Sequence, residues 1–177
     1  MRRRSSFFFC AFFACSLICF AEEKDPGKEE KLPAQSGFGA ALLLGEPMGI
    51  NAKLWVSEYS AINVGIGWSL YRRMETMRKR GAPYASIDYI RHFFDQVKTA
   101  RGKFVYFIGA GLEGAYNYFE DRYTERLYYG VRFPFGISYM FEDHPFDVFL
   151  ETSPSVVFYY YGITSDIGAS IGIRYWF

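Results

Sequence analysis

The sequence predicts an all-β fold, namely an eight-stranded antiparallel transmembrane up-and-down β-barrel. Three observations lead to this prediction. The last eleven residues alternate between apolar and small or polar side chains, which is the period of a strand with two different faces. About seven further two-faced segments precede them. Aromatic residues make up 21% of the chain while its mean hydropathy is only −0.05, as expected where lipid-facing and lumen-facing side chains alternate.

The first 21 residues are typical of a secretory signal peptide. Arg2–Arg4 form a basic start, the apolar run Phe7–Phe20 follows, and the small residue Ala21 ends the segment. The apolar run is too short for a transmembrane helix. We predict cleavage after Ala21; the alternative is a lipoprotein signal in which Cys15 or Cys19 carries the lipid.

Cysteine count and charge exclude several classes of site. All three cysteines, Cys10, Cys15 and Cys19, lie inside the predicted signal, so the mature chain is expected to have no disulfide and no cysteine–metal site. The formal net charge is +1, and removal of the three signal arginines changes it to 1 − 3 = −2. Because no long tract is strongly basic, nucleic acid is not an expected partner.

The mature chain is predicted to begin with a disordered periplasmic leader, residues 22–37. This segment is charged, contains two prolines and has almost no large apolar side chain. The barrel is predicted from Phe38 to Phe177. Its first segment, Phe38–Leu44, is apolar on both faces, so the pattern leaves its register open, and a turn with Gly and Pro follows at Gly45–Gly49.

The second, third and fourth segments alternate clearly. The second places Ile50, Ala52, Leu54 and Val56 opposite Asn51, Lys53 and Trp55. The third places Ile62, Val64, Ile66, Trp68 and Leu70 opposite Ala61, Asn63, Gly65, Gly67 and Ser69. The fourth places Ala85, Ile87 and Tyr89 opposite Ser86 and Asp88, and the pattern is lost at Arg91–Phe94, where a β-bulge is plausible.

The remaining segments follow the same rule. The fifth has Tyr106, Ile108, Ala110, Leu112 and Tyr116 opposite Gly109, Gly111, Glu113 and Asn117. The sixth has Leu127, Tyr129, Val131, Phe133, Phe135, Ile137 and Tyr139 opposite Gly130, Arg132, Gly136 and Ser138. The seventh has Val148, Leu150, Val156 and Phe158 opposite Glu151, Ser153 and Ser155. Pro134 and Pro154 lie within two of these segments, and we expect a local break in strand pairing at each.

The eighth segment is the most regular. Its apolar face carries Phe177, Tyr175, Ile173, Ile171, Ala169 and Ile167, and its other face carries Trp176, Arg174, Gly172, Ser170 and Gly168. To remove both edges of the sheet, this segment must pair with Phe38–Leu44. Arg174 is then expected to pair with an acid from another strand.

The connections are predicted to alternate in length. With both chain ends in the periplasm, Ser57–Ser60 and Glu142–Pro145 are tight periplasmic turns, and Asp95–Lys103 is a longer one. The outer loops are then Arg72–Pro83, Phe119–Arg126 and Tyr160–Asp166, which gives short turns inside and longer loops outside. The first outer loop is basic and is expected to be solvated or to contact anionic surfaces. Its basic residues are Arg72, Arg73, Arg78, Lys79 and Arg80.

Aromatic residues collect near the segment ends, as in the two girdles of membrane barrels. The lower group is Tyr59, Phe93, Phe94, Phe104, Tyr139, Trp176 and Phe177. The upper group is Tyr71, Tyr84, Tyr118, Tyr128, Tyr159 and Tyr160.

The polar faces together supply a lumen charge network of three bases and three acids. Its members are Lys53, Asp88, Glu113, Arg132, Glu151 and Arg174. An eight-stranded barrel is only wide enough for side chains to fill, so opposite charges inside it should pair. The favoured interpretation is a charged plug that fills the lumen; the alternative is a gated polar pathway whose ion pairs can switch.

No catalytic, cofactor or metal site is predicted. The two histidines are His92, near the periplasmic end of its strand, and His144, in the turn Glu142–Pro145. Neither has a neighbouring nucleophile and orienting group for acyl transfer. We interpret His92 as an interfacial residue, and His144 with two neighbouring acids is only a weak metal candidate. The sequence therefore predicts a protein that is not an enzyme.

Three stretches resemble a family of small bacterial outer-membrane barrel proteins, known from spirochaetes and proteobacteria and similar in architecture to the OmpA transmembrane domain. They are Leu44–Gly49 with Lys53–Trp55, Gly130–Tyr139, and Gly172–Phe177. The resemblance implies an eight-stranded barrel in the bacterial outer membrane, in contact with outer-membrane lipid. Because the chain ends at the last strand, the periplasmic peptidoglycan-binding domain of full-length OmpA is not expected.

The chain end itself resembles the signal that such barrels present to the barrel-assembly machinery. A terminal aromatic residue stands in an alternating apolar series, and the residues of this signal are Ile173, Tyr175 and Phe177. The resemblance thus implies that assembly machinery is a partner during biogenesis.

Taken together, the patterns predict a non-enzymatic surface barrel with a plugged lumen, whose outer loops contact the environment or a partner. A monomer is expected. The alternatives are a narrow channel or port for small, including hydrophobic, molecules, and a soluble lipocalin-like binder, which would need an apolar interior.

Overall fold

Residues 37–69, 82–99, 101–116, 127–159 and 162–177 are described by the computed structural model, with side chains for all of them except 95–99 and 159. The predicted signal peptide, with cleavage after Ala21 or lipidation at Cys15 or Cys19, lies outside these residues. The leader up to residue 36 and the basic outer-loop residues from Arg72 to Arg80 also lie outside them. Within the described part, no helix has the length and hydropathy needed to span a membrane.

In the part of the chain that the structure describes, nine antiparallel strands form one closed sheet. They are β1 Phe38–Glu46, β2 Met48–Trp55, β3 Ser60–Ser69, β4 Ala82–Thr99, β5 Gly102–Tyr116, β6 Leu127–Arg132, β7 Phe135–Phe141, β8 Phe146–Tyr159 and β9 Gly162–Trp176. Strands adjacent in sequence pair with each other, except that β6 and β7 both lie between β5 and β8. The antiparallel barrel fold predicted from the sequence is therefore confirmed, with the predicted sixth segment divided into two strands.

The division of that segment falls at its proline. Pairing with β8 stops at Arg132↔Ser155 and resumes at Phe135↔Thr152, so the gap holds Phe133 and Pro134 on one side and Ser153 and Pro154 on the other. Proline has no N–H to donate to a neighbouring strand, which explains a break at this point. On its other side β8 stays paired with β9 through Pro154. The two predicted breaks are thus one shared gap.

The first and last strands close the ring. They pair from Gly39↔Trp176 to Glu46↔Ala169, which confirms the predicted closure and settles the register of the first strand. Following paired residues once around the ring leads from Trp176 to Asp166, ten residues away on the same strand. Such a stagger in a barrel of this size corresponds to strands tilted by about 35–45°.

Side chains alternate between an apolar outer wall and a more polar interior. Large aliphatic side chains on widely separated strands point outward, with Leu42 62%, Leu112 60% and Ile167 68% exposed. Charged side chains such as Asp88 and Arg174 point inward and are buried. The pattern is the inverse of a water-soluble barrel, in which the apolar faces would line the interior.

The interior is closed by apolar side chains at the end of the barrel where β1 begins and β9 ends. Their buried core is Phe94, Val105, Met140 and Trp176, and Trp55 and Tyr59 pack against it. We call these six residues the aromatic floor. The rings are in contact, with centroids 5.8 Å apart for Trp55 and Trp176 and 6.0 Å apart for Trp55 and Phe94.

The aromatic floor corrects part of the predicted girdles. Phe94 and Trp176, assigned to the lower girdle, are buried inside the barrel. Tyr84 and Tyr128, assigned to the upper girdle, are buried as well. All four stand at inward positions of the alternation. This alternation determines where the side chains point, whereas a position near a strand end does not. Tyr71, Tyr118 and Tyr160 lie outside the described residues.

The predicted long turn Asp95–Lys103 was wrong. β4 continues to Thr99 and β5 begins at Gly102, and the two strands pair at this end from Val97↔Phe104 to Thr99↔Gly102. The register shifts between Phe93 and Val97, where β4 has more residues than β5. This irregularity begins within Arg91–Phe94, where the sequence pattern is lost and a β-bulge is plausible, and extends a few residues beyond it.

A close approach between β2 and β3 requires glycine. Gly49 and Gly67 are direct partners, and a Cβ atom on Gly67 would collide with the Met48 carbonyl oxygen and lie 3.0 Å from the Gly49 Cα atom. These are backbone atoms, so the strands themselves would have to separate.

We therefore expect Gly67→Ala to lower the free energy of unfolding by about 1–3 kcal/mol, as overpacking does, measured by urea titration of the folded barrel. Gly114→Ala is the matched control, because the nearest atom to its Cβ would be the Tyr128 carbonyl oxygen at 3.6 Å. Equal losses of stability in the two variants would contradict this explanation.

Candidate functional site in the barrel lumen

The upper part of the lumen, farther from the aromatic floor, is organised by Arg132 at the end of β6. Its Nη2 atom is 2.5 Å from Glu151 Oε1 on β8, and its Nε atom is 3.3 Å from Asp88 Oδ1 on β4. Its Nη1 atom donates a hydrogen bond of 2.5 Å to the Tyr84 hydroxyl, which in turn donates one of 3.0 Å to Glu113 Oε2 on β5. One guanidinium therefore links four strands; we call these five residues the upper network.

The lower part is organised by Arg174 on β9. Its Nη1 atom is 3.4 Å from Asp147 Oδ2 on β8, and its Nη2 atom donates to Asn51 Oδ1 on β2 at 3.1 Å. The Trp176 indole N–H donates to Asp147 Oδ2 at 2.6 Å. The guanidinium also lies 4.4 Å from the centre of the Phe149 ring, a cation–π contact. We call Asn51, Asp147, Phe149, Arg174 and Trp176 the lower network.

Lys53 is placed differently from the other bases. Its Nζ atom is 2.9 Å from His92 Nε2 and lies 5.3 Å from the centre of the Phe107 ring and 5.9 Å from that of Trp55. Both Lys53 and His92 are buried. Among the residues that the structure describes, no carboxylate forms an ion pair with Lys53.

The six residues predicted to form one charge network thus occupy three groups. Asp88, Glu113, Arg132 and Glu151 meet in the upper network, Arg174 lies in the lower network, and Lys53 lies with His92. Arg174 has the expected acidic partner, which is Asp147 on the neighbouring strand.

Sequence reasoning missed several members of these groups. They are Asn51 as a partner, Tyr84, His92, Asp147 and Trp176. Their signal was available in part, because Asp147 is two steps before Phe149 and four before Glu151 on one face of β8. His92 likewise continues the inward series of Asp88 and Ile90, so the interpretation of His92 as an interfacial residue was wrong.

The space left beside these side chains is small. The cavity bordered by Asn51, Asp88, Arg132 and Glu151 has a volume of about 10 Å³, which is about the space of one water molecule. The cavity nearer the opposite end from the aromatic floor, bordered by Glu46, Glu113 and Asp166, measures about 20 Å³. Each of these two cavities therefore has little free space between its side chains.

The predicted assembly signal lies on the outer wall. Ile173, Tyr175 and Phe177 are all exposed, and the ring of Phe177 packs against those of Tyr175 and Phe38. His144 is exposed in its turn. No group of three or more His, Cys, Asp or Glu side chains in the described part of the chain is arranged to hold a metal ion.

Fold and interior together define a small antiparallel β-barrel with an apolar outer wall and buried ion pairs in its interior. The chain belongs to the family described as protein of unknown function (DUF3996), whose model matches residues 28–177. Its structure is similar to the N-terminal β-barrel domain of Pseudomonas aeruginosa OprF. The TM-score is 0.56 and the identity 13%, over 81% of this chain and 98% of that domain. No curated protein sequence matches the chain.

Proposed function

We propose that the protein is an integral β-barrel of the bacterial outer membrane, without catalytic activity, with a charge-plugged lumen and with surface loops that contact the environment or a partner. The observation that carries this proposal is the apolar outer wall. Each of the nine strands carries at least one exposed aliphatic or aromatic side chain. A soluble monomer rarely exposes so extensive an apolar surface, whereas a bilayer covers it.

Closure of the sheet further supports a membrane location. The strand tilt of about 35–45° that follows from the register is the one that closed barrels in general require, membrane barrels included. Because β1 pairs with β9, neither strand forms an open edge of the sheet over the paired residues. The unpaired backbone N–H and C=O groups of an open edge could not form hydrogen bonds with lipid. The likeness to the OprF barrel domain supports the same class of fold.

The partners of the proposed barrel follow from its surfaces. Outer-membrane lipid would contact the outer wall, and barrel-assembly machinery would read Ile173, Tyr175 and Phe177. A surface partner would use the outer loops, including the basic one from Arg72 to Arg80. The barrel would act as a monomer.

Location is tested by cell fractionation and by gel migration. We expect the protein in the outer-membrane fraction, with faster migration of the unheated than of the heated sample, and loops that protease cleaves in intact cells. Recovery of the chain in periplasmic washes, with identical migration before and after heating, would refute a membrane barrel.

The charge plug is tested by single-channel recording and liposome swelling at neutral pH. Because the two lumen cavities have volumes of about 10 and 20 Å³, we expect no steady conductance and no swelling with small solutes. Steady conductance would instead support the second candidate, a narrow channel or port for small molecules, and would remove the plug while leaving the membrane location intact.

A further inference from the structure

We propose that Lys53 and His92 form a proton-sensitive latch that keeps the aromatic floor closed. The latch holds while His92 is neutral, and a proton on His92 releases it and admits water to the lower lumen. The inference concerns the folded barrel itself and does not depend on its cellular location.

The contacts of the imidazole assign its tautomer when Lys53 is an ammonium. His92 Nε2 lies 2.9 Å from the Lys53 ammonium, which can only donate, so Nε2 must accept. His92 Nδ1 lies 3.4 Å from the Tyr59 carbonyl oxygen, which can only accept, so Nδ1 carries the hydrogen. In this state the pair holds one positive charge, on Lys53, and a neutral imidazole.

A second proton has no favourable place in this arrangement. It would convert Nε2 into a donor that points at the Lys53 ammonium, and two cations would then face each other at hydrogen-bond distance. The surrounding charges are Arg174 on β9, Asp147 and Glu151 on β8, and Asp88 on β4. On β5, the buried Lys103 lies four residues before Phe107, on the side of the aromatic floor.

Each of the three acids already has a cationic partner. Asp147 is paired with Arg174 and accepts from Trp176, while Asp88 and Glu151 are both paired with Arg132. A doubly protonated Lys53–His92 pair could recruit one of them only by breaking an existing ion pair. Separation of the two cations is the simpler outcome.

Separation would disturb the aromatic floor because His92 is packed into it. The imidazole centroid is 4.4 Å from that of Trp55 and 6.2 Å from that of Phe94, and Trp55 in turn stacks on Trp176. The His92 side chain is thus in direct contact with the rings that close this end of the barrel. Closure is favoured at high pH and lost as the pH falls through protonation of His92.

Histidine NMR tests the starting state. The chain has only two histidines, so ¹⁵N-labelled histidine in the refolded full chain gives two sets of ring signals, and His144→Ala assigns them. We expect His92 at neutral pH to be the Nδ1–H tautomer. A charged His92, or the Nε2–H tautomer, would overturn the proposal.

Tryptophan quenching tests the release. In a Trp68→Phe background, which removes the outward-facing tryptophan, the emission comes from Trp55 and Trp176. Acidification from about pH 8 to about pH 4 should produce a reversible rise in quenching by acrylamide that coincides with protonation of His92. His92→Gln keeps an acceptor for Lys53 but cannot gain a proton, and it should abolish the rise.

Two outcomes decide against the latch. An unchanged rise in the His92→Gln chain would assign it to the carboxylates of the two networks, and no rise in the parent chain would show that the floor stays closed. Lys53→Met provides an independent check. Without the facing ammonium, His92 should gain its proton at a higher pH and quenching should no longer follow that step; a rise that persists would contradict the repulsion between Lys53 and His92 as its cause.

Discussion

Replacing Arg132 with alanine is expected to lower the free energy of unfolding by about 3–5 kcal/mol, the typical result of removing one partner from a buried ion pair. Asp88 and Glu151 would be left as buried carboxylates without their cation, and the Tyr84 hydroxyl would lose a donor. The measurement is the urea midpoint of the folded barrel, or the temperature at which the fast-migrating band disappears on gels.

Two comparisons separate loss of the ion pairs from general damage. Arg101→Ala removes an exposed arginine near the β4–β5 turn and should change the free energy by no more than about 0.5 kcal/mol. The triple variant Asp88→Asn, Arg132→Met, Glu151→Gln lacks both the cation and the two carboxylates that pair with it. It should therefore unfold with a higher free energy than Arg132→Ala. If Arg132→Ala left stability unchanged and raised ion conductance instead, the plug would be refuted and the gated pathway supported.

The barrel fold could be predicted from the sequence because its main determinant is local. A strand turns successive side chains to opposite faces, so the alternation around Arg174 or Asp88 identifies inward positions without any knowledge of the neighbouring strands. Closure of Phe38–Leu44 on the last segment followed from the cost of an open edge in lipid. Both inferences need only one strand and a rule of physical chemistry.

The partners inside the lumen could not be predicted in this way. Which inward side chains meet depends on the register of every strand pair and on the stagger accumulated around the ring. Arg132 contacts Asp88 and Glu151 because three different registers place them at similar levels, whereas Lys53 is placed beside His92. The sequence pattern shows that the six charged side chains point into the lumen. It does not show that they form three separate groups.

The division has an electrostatic consequence. The upper network has one cation, Arg132, among Asp88, Glu113 and Glu151, so acids are in excess there. Nearer the aromatic floor the balance is reversed, because the buried bases Lys53, Lys103 and Arg174 lie there with the buried acid Asp147, which pairs with Arg174. Among the described residues, the lumen is therefore more acidic at the end away from the aromatic floor and more basic near it, where Lys53 contacts His92.

Asp147 is the second position at which a large loss of stability is expected. Asp147→Ala should lower the free energy of unfolding by about 3–5 kcal/mol, because it leaves the buried Arg174 guanidinium without its carboxylate. It also removes the acceptor of the Trp176 indole N–H. Arg174 would keep only its neutral partner Asn51 and its contacts with aromatic rings.

Asp143→Ala is the matched control, because it removes the same charge from the exposed turn just before β8 and should change stability by no more than about 0.5 kcal/mol. Asp147→Asn keeps an oxygen acceptor for Trp176 but loses the charge, so its stability should lie between those of the parent and Asp147→Ala. Double-mutant cycles with Arg174→Met should then give a coupling energy between the two residues, since they are in contact. Additive effects of the two substitutions would mean that Asp147 stabilises the barrel through Trp176 and the aromatic floor, and not through Arg174.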